Sequence, residues 1–140
     1  MKKRIVFLCT GNSCRSQMAD GFANKYLKDF SISSAGTHPE EVNQNAINVM
    51  KKIGINISNN QSDKIDLSQL NNFDYIITLC GDAKDNCLNL LEHKDKHIHW
   101  NIEDPAKFDN LSKEEINLKY AKVRDNILNK ILLFKEDLFK

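Results

Sequence analysis

The chain has 140 residues, a length typical of one domain with a single hydrophobic core. Apolar residues make up 41% of it and charged residues 28%, which is the ordinary composition of a globular protein. The formal net charge is +1, so no surface field of one sign is available to attract nucleic acid or an anionic membrane. We therefore predict one domain, residues 1–140, that binds neither nucleic acid nor membranes.

The amino terminus does not have the pattern of a secretion signal. A basic start is followed by an apolar run that stops at Leu8, whereas the apolar region of a signal peptide needs about 7–15 residues. No other run approaches the roughly 18 apolar residues of a membrane span. We therefore expect a cytoplasmic protein, in which cysteines are more often catalytic, redox-active or metal-binding than joined in structural disulfides.

The first part of the chain alternates strand and helix patterns. Residues 5–8 form an uninterrupted apolar run, which predicts a strand buried on both faces of a parallel sheet. A polar loop covers residues 9–15, and a helix is predicted from Ser16. The apolar face of this helix carries Ala19, Phe22, Ala23, Tyr26 and Leu27. Residues 30–34 predict a second strand, and Asn43 is a candidate N-cap for a second helix.

The second part continues the alternation. The second helix is predicted to carry apolar side chains at Ala46, Val49, Met50 and Ile53 and to end near Gly54. Residues 75–79 and 96–100 predict the third and fourth strands. Ser112 and Glu115 form a capping box that begins the last helix. The apolar positions of that helix recur at steps of three and four residues: Ile116, Tyr120, Val123, Ile127, Ile131, Phe134 and Leu138.

This order of elements predicts a three-layer α/β fold, in which helices cover both faces of a central four-stranded parallel sheet. Ligands of such sheets bind beyond the carboxyl ends of the strands. Cys9, Cys80 and Asp104 each follow a predicted strand. The topology therefore makes that edge of the sheet the candidate site.

The loop after the first strand, residues 9–16, contains the strongest local motif, Cys-Thr-Gly-Asn-Ser-Cys-Arg-Ser. Between a strand and a helix N-terminus, the backbone amides of such a loop point inward and form a cradle for an anion. Arg15 can bind two oxygens of a tetrahedral oxyanion at once. The same positive field favours the thiolate form of Cys9, and Ser16 can donate a hydrogen bond to it. The predicted cradle residues are Thr10, Gly11, Asn12, Ser13, Cys14 and Arg15.

The sequence alone leaves simpler interpretations of these residues open. Cys9 can be a small buried apolar residue, because cysteines are often part of a core. Asp104 precedes a proline, and Asp-Pro is common in turns. Abundant cysteine and histidine also suggest zinc, but the close Cys-x2-Cys pairs that zinc sites favour are absent from the sequence. The Gly-x4-Gly-Lys spacing of nucleotide-binding loops is absent from it as well.

The Cys-x5-Arg-Ser loop and the Asp-Pro pair far downstream resemble the low-molecular-weight protein tyrosine phosphatase superfamily. Within that superfamily the chain is more similar to the thioredoxin-coupled arsenate reductases. The matching segments follow one another along nearly the whole chain: residues 9–19, 34–36, 57–59, 62–63, 78–80, 85–87, 99–100, 104–106 and 123–125. The resemblance implies a fold like that of the low-molecular-weight phosphatases and the activity of a reductase.

The resemblance also implies a relay of three cysteines. Arsenate would bind the cradle, the Cys9 thiolate would attack the arsenic, and Asp104 would protonate the departing oxygen. Cys80 would then attack the sulfur of Cys9 and release arsenite, and Cys87 would move the disulfide to Cys80–Cys87. Thioredoxin would reduce this last disulfide. Without the resemblance, the alternative for Cys87 is an ordinary surface thiol.

The same resemblance bears on cofactors and partners. It implies no bound metal or flavin for the chemistry, because thiols carry the two electrons and thioredoxin donates them. Some members of the family bind potassium, and the matching residues here are Asn12, Asp20, Ser34 and Asp63. Members that bind the ion carry Glu at the position of Asp20. We expect a monomer whose partners are arsenate and thioredoxin.

Two other classes of function share this cradle. A phosphatase would hydrolyse phosphate monoesters with Cys9, Arg15 and Asp104 alone, and it has no need of Cys80 and Cys87. The alanine and lysine after the Asp-Pro pair are not the aromatic residues that tyrosine-specific members tend to carry there. A binding module without catalysis would need neither the nucleophile nor the acid. We therefore predict an arsenate reductase and keep the phosphatase as the alternative.

Overall fold

A computed structural model describes residues 2–79 and 93–139. Within these ranges strands and helices alternate as the sequence predicts. The elements are, in chain order, β1 (Lys3–Cys9), α1 (Arg15–Tyr26), β2 (Phe30–Gly36), α2 (Gln44–Lys51), β3 (Tyr75–Thr78), β4 (His97–His99) and α3 (Lys113–Leu138). The 3₁₀ helices Leu67–Asn72 and Pro105–Phe108 lie in the connections.

The described strands form one parallel sheet in the order β2-β1-β3-β4. β1 is paired on both sides, and its residues 5–9 are all buried because a core packs on each face of the sheet. Its last residue, Cys9, lies opposite Gly36 at the end of β2. The carboxyl ends of the strands therefore meet at one edge, directly before the predicted anion-binding loop. This arrangement confirms the predicted α/β fold with its four-stranded parallel sheet.

Side chains of β1 alternate between the two faces of the sheet. Ile5 and Phe7 join one core with residues of α1, α2 and α3, and these helices pack against one another on that face. Val6 and Leu8 point to the opposite face, where Leu70 covers them. In the described part of the chain, the layer on this second face is therefore built by the 3₁₀ helix that contains Leu70 and by the residues next to it.

Helix α2 begins where predicted but ends earlier. The Asn43 side chain accepts hydrogen bonds from the amides of Asn45 and Ala46, as expected for an N-cap. At the other end, Gly54 has φ +81, a left-handed conformation that favours glycine and turns the chain away from the helix axis. The prediction for Ile53 is wrong: α2 has already ended before this residue, and its side chain is 37% exposed.

Helix α3 supplies much of the main core. Ser112 accepts a hydrogen bond at 3.2 Å from the amide of Glu115, which is the predicted N-cap contact. The buried residues of the helix are Tyr120, Val123, Ile127, Ile131 and Phe134, all of them predicted. Ile116 and Leu138, at its two ends, are partly buried. Among residues 2–79 and 93–139, no helix has the length and apolar character that a membrane crossing requires.

Candidate active site

The loop at residues 10–14 connects Cys9, the last residue of β1, to α1. Its carbonyl oxygens are held from outside by donors of the surrounding chain. The His38 amide donates to the Thr10 carbonyl at 2.8 Å, and the Glu40 amide donates to the Gly11 carbonyl at 2.8 Å. The Asn43 amide donates to the Ser13 carbonyl at 2.7 Å. The Asn12 carbonyl accepts from Gln17 Nε2 at 2.9 Å and from Ser62 Oγ at 2.7 Å. Consecutive carbonyls therefore point away from the centre of the loop.

The outward carbonyls determine where the amide groups point. In a trans peptide, the C=O of one residue and the N–H of the next lie on opposite sides of the bond, and the described ranges contain no cis peptide. The N–H groups of Gly11, Asn12, Ser13 and Cys14 therefore face the inside of the loop. This is the geometry of an anion cradle at the start of a helix.

Close packing behind the loop depends on Gly36, the neighbour of Cys9 in the sheet. A Cβ atom at this position would lie 2.6 Å from the Thr10 carbonyl oxygen and 2.7 Å from the Asn12 amide nitrogen. Both are backbone atoms that cannot move aside without opening the loop, so the cradle closes against β2 only because a glycine is there. Asn12 itself has φ +45, a left-handed conformation that asparagine tolerates better than most residues.

The loop borders a small hollow of about 190 Å³. Its lining, among the described residues, consists of Cys9, Thr10, Gly11, Ser13, Cys14, Arg15, Glu40, Asn43, Asp104 and Ala106. This volume is below the roughly 300–1,000 Å³ of pockets for drug-sized ligands, so the hollow suits one tetrahedral oxyanion. Asn12 is the predicted cradle residue that does not line it, and its side chain is fully buried.

The thiol of Cys9 belongs to a short chain of hydrogen bonds. Its Sγ lies 2.8 Å from Ser16 Oγ, and Ser16 Oγ donates to Asn12 Oδ1 at 2.8 Å. A serine hydroxyl has one proton to donate, so in this arrangement the sulfur is the donor of the first bond. When Cys9 is ionised, the hydroxyl proton turns to the sulfur instead, and Ser16 then stabilises the thiolate.

Arg15 and Asp104 meet at the border of the hollow. Arg15 is 4% exposed, its Nη1 donates to the Ile102 carbonyl at 3.0 Å, and its Nη2 lies 3.7 Å from Asp104 Oδ2. Asp104 Oδ1 accepts a hydrogen bond from the Ala106 amide at 3.0 Å and so begins the 3₁₀ helix Pro105–Phe108. The turn and acid roles, which the sequence left as alternatives, are therefore compatible in one side chain.

Cys14 also lines the hollow, but its environment opposes ionisation. It is 5% exposed, and burial, followed by the nearby charge of Cys9, raises the pKa of its thiol well above the usual value. A nucleophilic cysteine needs its thiolate form. Of the two described cysteines, Cys9 is therefore the one suited to attack an oxyanion.

Two of the four predicted potassium ligands are in direct contact. Asp20 and Ser34 share a side-chain hydrogen bond, while burial raises the pKa of Asp20 to about 6. A cation at this place would favour the charged carboxylate. The oxygen donors of Asn12, Asp20, Ser34 and Asp63 suit a hard cation in type.

Residues that shape the cradle without a sequence motif also emerge. Gln17 is fully buried on α1 and donates to the carbonyl of Asn12. Ile102 acts through its backbone oxygen, which no side-chain pattern reveals. Sequence reasoning missed Gln17, and the signal that could have found it is a glutamine directly after the Cys-x5-Arg-Ser motif. Cys80 and Cys87, the predicted shuttle, lie outside the described residues.

A cysteine and an arginine at the two ends of an amide-lined loop, after the first strand of a parallel sheet, define a cysteine-dependent site for tetrahedral oxyanions. Residues 4–139 match the family model described as low molecular weight phosphotyrosine protein phosphatase. The chain belongs to this family, as the resemblance in its sequence implied.

Individual relatives include both reductases and phosphatases. The arsenate reductase of Shouchella clausii is 48% identical over 136 residues, which covers 96% of each chain. A solved structure described as an arsenate reductase in the phosphate binding state has a TM-score of 0.75 and 33% identity, covering 94% of this chain and 95% of that one. The YwlE arginine phosphatase from Geobacillus stearothermophilus has a TM-score of 0.77 and 27% identity, covering 97% and 92%.

Proposed function

We propose that the protein reduces arsenate to arsenite in the cytoplasm and so detoxifies arsenic. The observation that carries this proposal is the placement of Cys9, Arg15 and Asp104 around one oxyanion-sized hollow. Similarity to arsenate reductases along nearly the whole chain supports arsenate as the oxyanion. A net charge of +1 suffices for this substrate, because one arginine and a ring of amides hold a small anion without a basic surface.

The described residues supply the first chemical step. Arsenate binds with its oxygens on the loop amides and on Arg15, which offset its charge. The Cys9 thiolate attacks the arsenic, so that an S–As bond forms while an As–O bond breaks. Asp104, at the border of the hollow, gives its proton to the departing oxygen, which leaves as water.

The second step is a transfer of disulfides. Cys80 attacks the sulfur of Cys9, the S–As bonding pair passes to arsenic, and arsenite leaves as the Cys9–Cys80 disulfide forms. Cys87 then attacks Cys80 and frees Cys9, and thioredoxin reduces the Cys80–Cys87 disulfide. A Cys80–Cys87 disulfide requires the Cα atoms of these two residues to lie within roughly 7 Å of each other. The support for the relay is the sequence and the similarity to arsenate reductases.

A phosphatase is the second candidate function. The same cradle and acid would cleave a phosphate monoester, with a phosphocysteine on Cys9 that water then hydrolyses. The similarity to an arginine phosphatase favours this candidate. Cys80 and Cys87 separate the two functions, because hydrolysis needs no second or third thiol.

A Cys87→Ser variant tests reduction and relay together. With thioredoxin, thioredoxin reductase and NADPH, the variant is expected to release about one arsenite per protein molecule and then stop, because the disulfide stays on Cys9. The wild-type protein is expected to continue for many turnovers. Arsenite release is measured over time by chromatography with elemental detection.

The matched control is the wild-type protein without thioredoxin, which should also stop after the first arsenite. Continued turnover by the Cys87→Ser variant at the wild-type rate would contradict the relay. A wild-type protein that releases no arsenite but cleaves phosphate monoesters would be a phosphatase.

Potassium binding, the monomeric state and the lack of another bound cofactor stay predictions. The support for potassium is the type of oxygen donors at Asn12, Asp20, Ser34 and Asp63, together with the contact between Asp20 and Ser34. The shorter side chain of Asp20, where potassium-binding members carry Glu, argues for weaker binding of the ion.

A further inference from the structure

Tyr120 is a buried phenol that the proposed chemistry leaves without a role. It lies on α3, and its side chain is fully buried. Its hydroxyl donates to Asp109 Oδ1 at 2.9 Å and accepts a hydrogen bond from Asn43 Nδ2 at 3.2 Å. The other buried residues of α3 are apolar, so packing alone does not require a hydroxyl here.

One partner of this hydroxyl, Asn43, is firmly anchored in the wall of the cradle. It lines the hollow, and its backbone amide donates to the Ser13 carbonyl at 2.7 Å. Its side-chain oxygen caps α2, so its side-chain nitrogen is the group that bonds Tyr120. These anchors do not depend on the hydroxyl, so Asn43 gives Tyr120 a fixed point in the wall of the hollow.

The other partner, Asp109, ends the turn that carries the proposed acid. The 3₁₀ helix Pro105–Phe108 begins at Asp104 and ends at Asp109, whose amide donates to the Ala106 carbonyl at 3.1 Å. Asp109 is exposed, so water competes for its carboxylate. The bond from Tyr120 therefore ties an exposed turn to the anchored wall of the cradle.

We infer that Tyr120 is a positioning residue: its hydroxyl, held by Asn43 and bonded to Asp109, sets the Asp104 carboxyl at a fixed place beside the oxyanion cradle. Burial, more than the nearby charges, raises the pKa of the Tyr120 hydroxyl well above its ordinary value, so it remains a donor at neutral pH. The inference rests on the proposed acid role of Asp104, which arsenate reduction and phosphate ester cleavage share.

A Tyr120→Phe variant removes the hydroxyl and keeps the ring. Single-turnover arsenite release and the kcat for phenyl phosphate are both expected to fall about 10-fold, because a displaced acid transfers its proton more slowly. Phenyl phosphate is chosen because phenolate is a poor leaving group that needs an acid. KM is expected to stay within about two-fold, since the amides and Arg15 that bind the oxyanion are untouched.

The decisive comparison repeats the substitution in an Asp104→Asn background, which has no proton to give. There Tyr120→Phe is expected to cause no further loss, because the two changes act on one step. The matched control is Tyr75→Phe on β3, a half-buried tyrosine whose ring packs against Phe30 and Phe134. Tyr75→Phe is expected to change neither single-turnover arsenite release nor the kcat for phenyl phosphate.

A 10-fold loss that disappears in the Asp104→Asn background would support the inference. An equal loss in both backgrounds, or a change confined to KM or to the unfolding midpoint, would overturn it. An Asp109→Ala variant should show the same 10-fold loss of rate, and combining it with Tyr120→Phe should lower the rates no further. If the Tyr120→Phe variant folds poorly, the Asp109→Ala variant still tests the inference. If the wild-type protein cleaves phenyl phosphate but releases no arsenite, the proposed function fails, while the phenyl phosphate rates still decide the role of Tyr120.

Discussion

A Cys9→Ser variant is expected to lose arsenate reduction by at least about 10⁴-fold, because a serine hydroxyl is neither ionised near neutral pH nor able to form a disulfide. Cys9 has the geometry of the nucleophile, with Ser16 Oγ at 2.8 Å and the loop amides around it. Cys14 cannot replace it, since burial raises the pKa of that thiol well above the usual value.

The control for this loss is the affinity for inorganic phosphate, measured by titration calorimetry. Because Arg15 and the loop amides remain in the Cys9→Ser variant, its phosphate affinity is expected to stay within about three-fold of the wild-type value. Arsenite formation by the variant at a rate near the wild-type one would show that another thiol starts the reaction, and the proposed mechanism would then be wrong.

An Arg15→Lys variant is expected to lower kcat/KM for arsenate by about 10²–10³-fold, although the positive charge is kept. The guanidinium, 4% exposed, already uses Nη1 for the Ile102 carbonyl and places Nη2 3.7 Å from Asp104. A planar guanidinium carries five N–H donors in a fixed fork, the geometry that pairs with two oxygens of a tetrahedral anion. A lysine ammonium is a point charge without this planar fork, so it cannot reproduce the paired contact with two oxygens.

Arg124→Lys is the matched control for this substitution. Arg124 lies on α3, donates from Nη1 to the Val49 carbonyl at 2.9 Å and pairs with Asp125, so it too bonds a backbone oxygen of a neighbouring element. It does not line the hollow. Its replacement is expected to change kcat/KM less than about two-fold. An equal loss in both variants would mean that Arg15 acts through the fold and not through the anion.

Much of the fold is predictable because its elements have local signals. The apolar run at residues 5–8 shows a strand covered on both faces, and the Ser112 cap with its apolar repeat marks α3. Ile53 could not be placed in this way, because the left-handed turn at Gly54 ends the helix before its apolar periodicity does. The 3₁₀ helix Leu67–Asn72 lacks a repeating apolar face, so its packing under β1 is visible only in the folded chain.

The candidate site also has a part that the sequence predicts and a part that it does not. The cradle was predictable because Cys9 to Ser16 form one contiguous motif between a strand and a helix. Gly36 and Tyr120 depend on contacts with residues that are distant in sequence. A Cβ atom at Gly36 would lie 2.6 Å from the Thr10 carbonyl oxygen. The Tyr120 hydroxyl forms hydrogen bonds with Asn43 and Asp109, which lie in two separate parts of the chain. Such contacts have no local signal, since they depend on how the elements pack.

Mapping the thiols after one turnover is the most direct test of arsenate reduction by thiols of this chain. The protein is mixed with one equivalent of arsenate without thioredoxin, quenched in acid, alkylated, digested and analysed by mass spectrometry. We expect a Cys80–Cys87 disulfide, with Cys9 and Cys14 alkylated as free thiols. Four free thiols after exposure to arsenate, in a protein that cleaves phosphate monoesters, would contradict the thiol relay and identify the protein as a phosphatase.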